Sequence, residues 1–323
     1  METLQHIAFE LWQTLVRVVS YPVDVTQRLY WPYLISSLAV AFVAFLVWRR
    51  RRGAGGGLRD FLRFVFPPEI WKHRSTWVDV RYFVPHQMVR IWIYVNMVLF
   101  LSVPFTRWTA SGLEALGPAP EASEPTLGIA LAYTFASMVV VDFFSYLVHW
   151  AQHKVPLLWR FHAVHHSAEV LNPLSNYREH PVDNFVYAVF VALGVGLVGG
   201  VFTRISGTTP TDLQILGVNG LVFFFNVFGY HLRHSHIWVR WPGKWAYVFG
   251  CPAHHQIHHS CLPEHRDHNL AFMFPIWDVL FGTWCLPDKQ PEMQFGLGDG
   301  SEPEYDGFLR IYARPFKGLF RRS

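Results

Sequence analysis

The sequence predicts an all-α integral membrane protein of about four to five transmembrane helices, with a histidine-rich helical cap on the cytosolic side. Three observations support this fold class. Hydrophobic residues make up 51% of the 323 residues and charged residues only 15%, whereas soluble proteins usually carry about 25% charge. The apolar residues are concentrated in five runs that contain no charge. Finally, 15 of the 18 histidines lie between residues 149 and 268.

The uncharged runs are candidate membrane spans. They cover residues 29–48, 91–106, 126–141, 184–203 and 213–230. A hydrocarbon core about 30 Å thick takes roughly 20 helical residues, and about 17 at the short end. The first, fourth and fifth runs are therefore long enough, whereas the second and third need flanking residues. Gly196 and Gly200 form a small-xxx-small pair that would let two spans approach closely.

The positive charges predict the orientation. Arg49, Arg50, Arg51 and Arg52 follow the first run, and basic residues favour the cytosolic side. Alternation from there places residues 142–183 and 231–323 in the cytosol, and an amphipathic helix over residues 2–20 on the outer surface. We therefore attribute the net charge of +4 to membrane orientation and expect no nucleic-acid partner.

The sequence divides into four predicted parts. Residues 1–28 are an amphipathic segment, residues 29–125 a first transmembrane hairpin, residues 126–287 a histidine domain, and residues 288–323 a tail with a basic surface segment.

Three histidine clusters indicate a metal site. Residues three or four apart on a helix share one face, and imidazole is a favoured ligand of iron, zinc, copper and nickel. Residues 126–151 would extend about 39 Å as a helix, so His149 and His153 would emerge beyond the hydrocarbon core. The clusters are His149 and His153, then His162, His165 and His166, then His255, His258 and His259, with His231, His234 and His236 between the last two.

The number of histidines favours two metal ions. Eight to ten imidazoles exceed what one four-coordinate zinc can use, and the HxxxH motif lacks the glutamate of HExxH. Asp142 lies seven residues before His149, on about the same helical face. A carboxylate within a span is costly and usually functional. We therefore expect Asp142 to accept a hydrogen bond from a ligand histidine.

These motifs resemble the fatty acid hydroxylase/sterol desaturase superfamily, and its bacterial members in particular. The resemblance covers residues 130–285 and is most specific from Pro252 to Ser260, at Asp267, His268 and Asn269, and from Trp277 to Thr283. It implies a di-iron centre that uses O2 and two electrons to hydroxylate or desaturate lipid C–H bonds. Hydroxylation is favoured because the last block most resembles hydroxylases and monooxygenases.

The resemblance also implies a set of metal ligands. The family has one more histidine near the end of a span, and His234 fits that place. His231 is the candidate for a tenth ligand. The choice among His231, His234 and His236 stays open. Around the ligands we expect Asp142, Asp278, His236, His254 and Asn269 to orient them. The ligands carried over by position are His149, His153, His162, His165, His166, His255, His258 and His259.

Two other function classes fit a histidine-rich membrane protein: a metal transporter and a zinc hydrolase. Transporters usually hold the ion near mid-membrane between broken helices, whereas these histidines lie beyond the ends of the runs.

The substrate class within the oxygenase interpretation stays open among sterols, fatty acyl chains and alkylglycerols. The three cysteines cannot form a four-cysteine cluster motif, so we expect an external electron-transfer protein as the reductant. The expected location is the bacterial inner membrane.

Overall fold

The structure is a computed structural model that describes residues 2–53, 56–122, 124–216 and 218–319. Residues 54–55, in the glycine-rich stretch after the first run, and residues 320–323, at the end of the predicted basic tail, lie outside the described residues. Within the described ranges the helices are α1 (Glu2–Val19), α2 (Trp31–Arg52), α3 (Leu58–Val65), α4 (Pro68–Trp71), α5 (Arg74–Gly112), α6 (Leu127–Lys154), α7 (Pro156–His166), α8 (Pro181–Ser206), α9 (Gly220–Val227), α10 (Trp245–Val248), α11 (Pro252–His258), α12 (Ile276–Phe281) and α13 (Phe308–Ala313).

Four of these helices, α2, α5, α6 and α8, are long and apolar enough to cross a membrane. The predicted runs 29–48, 126–141 and 184–203 are confirmed as parts of α2, α6 and α8. Side-chain caps fix two of the starts, because Thr126 Oγ1 accepts from the Ile129 amide and His180 Nδ1 accepts from the Val182 amide. The structure therefore agrees with the predicted all-α membrane fold.

Helix α5 is much longer than the predicted run 91–106. Its 39 residues extend about 58 Å, so the segment before residue 91 and the span form one helix. The helix starts after His73, whose Nδ1 accepts from the Ser75 amide. Pro85 and Pro104 lie inside it without ending it.

The fifth run, residues 213–230, does not form one spanning helix, and this prediction was wrong. It contains a short antiparallel hairpin of β1 (Gln214–Ile215) and β2 (Val218–Asn219), then the eight-residue helix α9. Asn219 Oδ1 caps α9 by accepting from two amides, and Gly229, with φ of 89°, follows its end. Leu213 donates to Thr134 Oγ1 near the start of α6, so the segment connects the two ends of the bundle without a full-length helix.

The segment that follows α1 lies beside the histidine end of the bundle, and the outer position of residues 2–20 stays a prediction. The Tyr21 ring lies 6.1 Å from Phe83 near the start of α5, and the Arg28 guanidinium lies 5.0 Å from the ring centroid of Tyr230. Helix α2 packs on the segment around His234, where Ala41 forms a cluster with Leu232 and Ile237.

Helices α5 and α8 pack closely through glycines, as the small-xxx-small pair predicted. A Cβ atom built on Gly196 would lie 2.3 Å from Phe105 Cβ, and one on Gly200 would lie 2.4 Å from Thr109 Cβ and 2.7 Å from the Thr106 carbonyl oxygen. These approaches are too short for any side chain without backbone movement. The glycines therefore set the distance between the two helices.

We expect Gly200→Ala to destabilise the protein by about 1–3 kcal/mol, because the added methyl group would force the α5 backbone away. Thermal unfolding of the purified protein in detergent measures this. Gly128→Ala is the matched control, since the nearest atom to its Cβ would be Thr126 Oγ1 at 3.9 Å. Equal unfolding temperatures for the two variants would contradict the close packing.

Candidate metal centre

Nine histidines converge at one end of the bundle because four segments end or turn there. The last turns of α6 carry His149 and His153. After Val155 the chain turns directly into α7, which begins at Pro156 and carries the HxxHH motif on its last turns. The 3-10 turn Tyr230–His234 contributes its last residue. Helix α11 and the residue that follows it contribute His255, His258 and His259.

The histidines form two adjacent groups. Within each group, one nitrogen from every ring lies within 4.8 Å of the others. The groups adjoin because neighbouring residues, 165 with 166 and 258 with 259, belong to different groups. The rings of His166 and His259 stack across this boundary with centroids 4.6 Å apart. The first group is His149, His153, His162, His166 and His258, and the second group is His165, His234, His255 and His259.

Hydrogen bonds to Nδ1 orient the rings of the first group. His149 Nδ1 lies 2.7 Å from the Leu270 carbonyl oxygen and His258 Nδ1 lies 3.1 Å from the His268 carbonyl oxygen. His153 Nδ1 lies 3.3 Å from an Asp267 oxygen. Because carbonyl and carboxylate oxygens only accept, these Nδ1 atoms carry the proton, and the Nε2 lone pairs are free.

His162 completes this pattern, with Nδ1 3.2 Å from Asp183 Oδ2. Four Nε2 atoms of the first group are buried without a hydrogen-bond partner among the described residues, namely those of His153, His162, His166 and His258. Buried polar atoms are normally satisfied. Outward Nδ1 bonds with inward free Nε2 atoms are the arrangement of metal-binding histidines, so the group fits a metal ion.

Two rings of the second group are oriented in the same way, and a third is an exception. His165 Nδ1 donates to the Arg178 carbonyl oxygen at 3.3 Å. His234 Nδ1 lies 2.9 Å from Ser175 Oγ, which donates to the Asn172 carbonyl oxygen and therefore accepts from the ring. The exception is His255, whose Nδ1 faces Arg233 Nη2 at 3.0 Å and must accept. Its Nε2 lies 2.8 Å from that of His234.

Burial keeps the imidazoles neutral. Burial, and after it the neighbouring His162, lowers the pKa of His165 to about 3. Burial likewise lowers the pKa of His166, His234 and His259 well below the usual value. Neutral imidazole is the form that binds metals, so the site is prepared for a cation at neutral pH.

Three predicted site histidines lie outside both groups. His231 sits beside the Tyr230 ring, 5.6 Å between centroids, and near the backbone of Arg28, so its prediction as a ligand was wrong. The packing of the N-terminal segment against this turn explains the difference. His236 Nε2 donates to the Phe64 carbonyl oxygen at 2.6 Å, and His254 Nδ1 accepts from the Cys251 amide.

Asp142 does not contact a histidine, which corrects the expected hydrogen bond. Its carboxylate accepts from the amides of Met273 and Phe274 and from Trp277 Nε1. Asp278 accepts from the amides of Leu270 and Ala271. The two carboxylates thus hold the loop whose Leu270 carbonyl orients His149.

Asn269 supports the start of the same loop. It adopts φ of 55°, its Nδ2 donates to the His254 carbonyl oxygen, and its Oδ1 accepts from the Cys285 amide. The Asn269 side chain therefore bonds to backbone groups: it links α11 to the segment after α12.

Four residues at the site were not singled out from the sequence: Asp183, Asp267, Ser175 and Arg233. Asp183 Oδ1 also accepts from Gln152 Nε2 at 2.7 Å, so one carboxylate connects α6, α7 and α8. Asp267 had a signal, because it belongs to the motif that carried the resemblance. The other three contact histidines only through the tertiary fold, and no local spacing reveals them.

A small polar pocket beside the histidines shares part of its wall with a larger apolar cavity. A small polar pocket of about 90 Å³ is lined by His149, His162, His165 and His255, which come from both groups. A larger cavity of about 900 Å³ is lined almost entirely by apolar side chains, including Phe135 and Phe228. The two share Tyr230 and Arg233 in their walls. An apolar chain and a polar group could therefore occupy adjoining spaces near the histidine groups.

The comparisons with known proteins agree with this site. The model of the fatty acid hydroxylase family matches residues 134–283, which include all nine grouped histidines. An ornithine lipid hydroxylase of Rhizobium tropici is 27% identical over 58% of this chain and 51% of its own length. An alkylglycerol monooxygenase of Caenorhabditis elegans is 27% identical over 53% of this chain and 31% of its own length.

A very-long-chain aldehyde decarbonylase of Oryza sativa subsp. indica is 25% identical over 50% of this chain and 57% of its own length. The chain thus spans about half or less of the first two curated relatives. No solved structure matches it. The part of the chain that carries the histidine groups, residues 134–283, therefore matches the fatty acid hydroxylase family.

Proposed function

We propose that the protein is a membrane oxygenase that hydroxylates a lipid, using O2, two electrons from an external donor protein and two iron ions. The observation that carries this proposal is the pair of adjacent histidine groups, the first of which has four buried, unpartnered Nε2 atoms. Each group offers four or five nitrogens, which suits one metal ion with a position left for another ligand. The names of the relatives support lipid oxidation as the reaction.

Bound iron would supply the redox chemistry that O2 activation requires. The protein's own residues hold and orient the ligands. Asp183 accepts a hydrogen bond from His162, and Asp267 accepts one from His153. Because the imidazole rings are neutral, these carboxylates would supply negative charge that balances part of the charge of two bound iron ions. The Asp142 and Asp278 carboxylates fix the loop that positions His149.

The apolar cavity supplies a place for the lipid chain. Phe135 on α6 and Phe228 after α9 line it, and both are exposed on the surface of the apolar bundle, at 61% and 60%. A lipid could therefore enter from the bilayer with its chain among aromatic side chains, which exclude water from the reacting carbon. We propose hydroxylation as the outcome and the cytosol as the side on which the histidines lie.

Two alternatives fit the geometry less well. A transporter needs its ion near the middle of the membrane, whereas these ligands lie where α6 ends and α8 begins. A zinc hydrolase needs three protein ligands and one ion, whereas nine histidines form two groups. The oxygenase accounts for both the number and the position of the ligands.

Lipid mass spectrometry of cells with and without the chain tests the proposal. We expect a lipid that gains the mass of one oxygen atom only when the chain is present, and that becomes heavier still when isotopically heavy O2 is supplied. Cells that produce the His153→Ala variant are the control and should lack the product. A lipidome without any oxygen-dependent difference would overturn the proposal.

A further inference from the structure

The small polar pocket beside the histidines contains three arginines. Arg28, Arg90 and Arg233 line it together with ligand histidines of both groups. Its volume of about 90 Å³ is several times the roughly 10–15 Å³ that one water requires. The pocket can therefore hold a small polar group within reach of the metal ligands.

Two of these arginines have no carboxylate partner in the part of the chain that the structure describes. Among the described residues, no carboxylate oxygen lies within 4.0 Å of Arg28 or Arg233. Their guanidinium groups instead lie over the same two rings: Arg28 is 5.0 Å from Tyr230 and 5.4 Å from Phe272, and Arg233 is 5.6 Å and 4.7 Å from them. Two cations thus share one pair of aromatic faces in a partly enclosed space.

The carboxylates that line the pocket are already engaged. Glu179 Oε2 lies 3.2 Å from Arg90 Nε and accepts from Asn184 Nδ2 at 2.7 Å. Burial by itself would raise the pKa of Glu179, but Arg90 and the other nearby cations lower it to about 2. Asp183 uses its two oxygens on Gln152 and His162. The pocket therefore carries uncompensated positive charge, which bound metal ions would increase.

The position of the pocket relates this charge to a lipid. Arg233 and Tyr230 belong to both the polar pocket and the apolar cavity of about 900 Å³. An amphiphile whose chain occupies the cavity would place its polar head among the arginines. Guanidinium groups bind phosphate and carboxylate through charge-assisted hydrogen bonds.

We propose that Arg28, with Arg90 and Arg233, binds the phosphate or carboxylate of the substrate's polar head. The substrate is then an anionic lipid, and the carbon that faces the histidine groups lies next to the headgroup, not at the end of the chain. That the bound lipid is the substrate rests on the proposed function, but the binding of the lipid does not require turnover.

Equilibrium binding by native mass spectrometry tests it on the purified full chain in a neutral detergent. The probes are oleoyl lysophosphatidic acid and 1-oleoylglycerol, which share the chain and the glycerol and differ by the phosphate. The wild type is expected to bind the phosphorylated lipid about tenfold or more tightly, the effect of one or more charge-assisted bonds. Arg28→Gln should lose most of this preference, and Arg28→Lys, which keeps the charge, should retain part of it.

Arg81→Gln is the matched control, because Arg81 is exposed on α5 and outside the pocket; it should keep the wild-type preference. Equal affinity of the wild type for both lipids, or an unchanged preference in a folded Arg28→Gln variant, would overturn the inference.

Inorganic phosphate is the third probe, and binding as tight as that of the phospholipid would show a site for free anions instead of lipids. Arg28-dependent binding without any oxidised lipid in cells would refute the proposed function and leave the headgroup site standing.

Discussion

His234→Ala is expected to remove one of two bound metal ions and to lower lipid oxidation by at least about 100-fold. Removing a residue that only hydrogen-bonds to a metal ligand typically lowers metal affinity or activity by about 10–100-fold, and here a proposed ligand itself is removed. The Nε2 of His234 lies 2.8 Å from that of His255, and the second group has four members, so three nitrogens would remain. The measurements are elemental analysis of the purified variant and the yield of oxygenated lipid.

His236→Ala is the control, two residues along the same chain segment. Its Nε2 donates to the Phe64 carbonyl oxygen and does not belong to either group. We therefore expect full metal content and substantial activity, with at most a loss of about 1 kcal/mol in stability from the missing hydrogen bond. If both variants lost metal equally, the assignment of His234 to the second group would be wrong.

Asp183→Asn is expected to weaken metal binding in the first group by about 10–100-fold, the usual effect of removing the carboxylate behind a ligand histidine. Asp183 Oδ2 lies 3.2 Å from His162 Nδ1 and Oδ1 accepts from Gln152. An asparagine can satisfy one of these donors but presents its own N–H groups to the other. His162 then loses the bond that fixes its tautomer.

Titration with a chelator measures this effect, because the variant should release one ion at lower chelator concentration than the wild type. Asp288→Asn is the control, since Asp288 is 90% exposed and, among the described residues, pairs only with Arg240. Metal-free Asp288→Asn should unfold at the wild-type temperature, and metal-free Asp183→Asn should lose no more than about 1–3 kcal/mol for the buried donor left without an acceptor. A much larger loss of stability would indicate a packing role for Asp183 instead.

The sequence was most informative where one local pattern decides the structure. Uncharged runs of helical length predicted α6 and α8, because only a helix satisfies its own backbone in an apolar surrounding. Spacings of three and four predicted that His162, His165 and His166 share a face. The glycine pair at 196 and 200 likewise predicted a close helix contact, since the absence of side chains has a direct geometric result.

The same reasoning failed where apolar composition does not specify the element. Residues 213–230 are as apolar as a span, yet Asn219 and Gly229 interrupt them, and the segment forms a hairpin and a short helix. Composition alone does not separate these possibilities. The continuation of α5 back to Arg74 was missed for the opposite reason, because polar residues before residue 91 concealed a helix that runs past Pro85.

At the site, the sequence predicted the histidines that form the two groups but not most of the residues that contact them. Asp183 contacts His162 across 21 residues, and Asp267 contacts His153 across 114. The error at His231 has the same origin. Its spacing of three from His234 was suggestive, but the packing of Arg28 and Tyr230 places it elsewhere. Contacts between distant segments depend on the whole fold, which no local spacing specifies.

The metal content of the wild-type protein tests the central claim most directly. The purified chain, produced in iron-replete cells and analysed by elemental mass spectrometry, should contain about two iron atoms per polypeptide, one for each histidine group. A single zinc per chain, or histidine rings that bind no metal at all, would contradict a two-iron oxygenase.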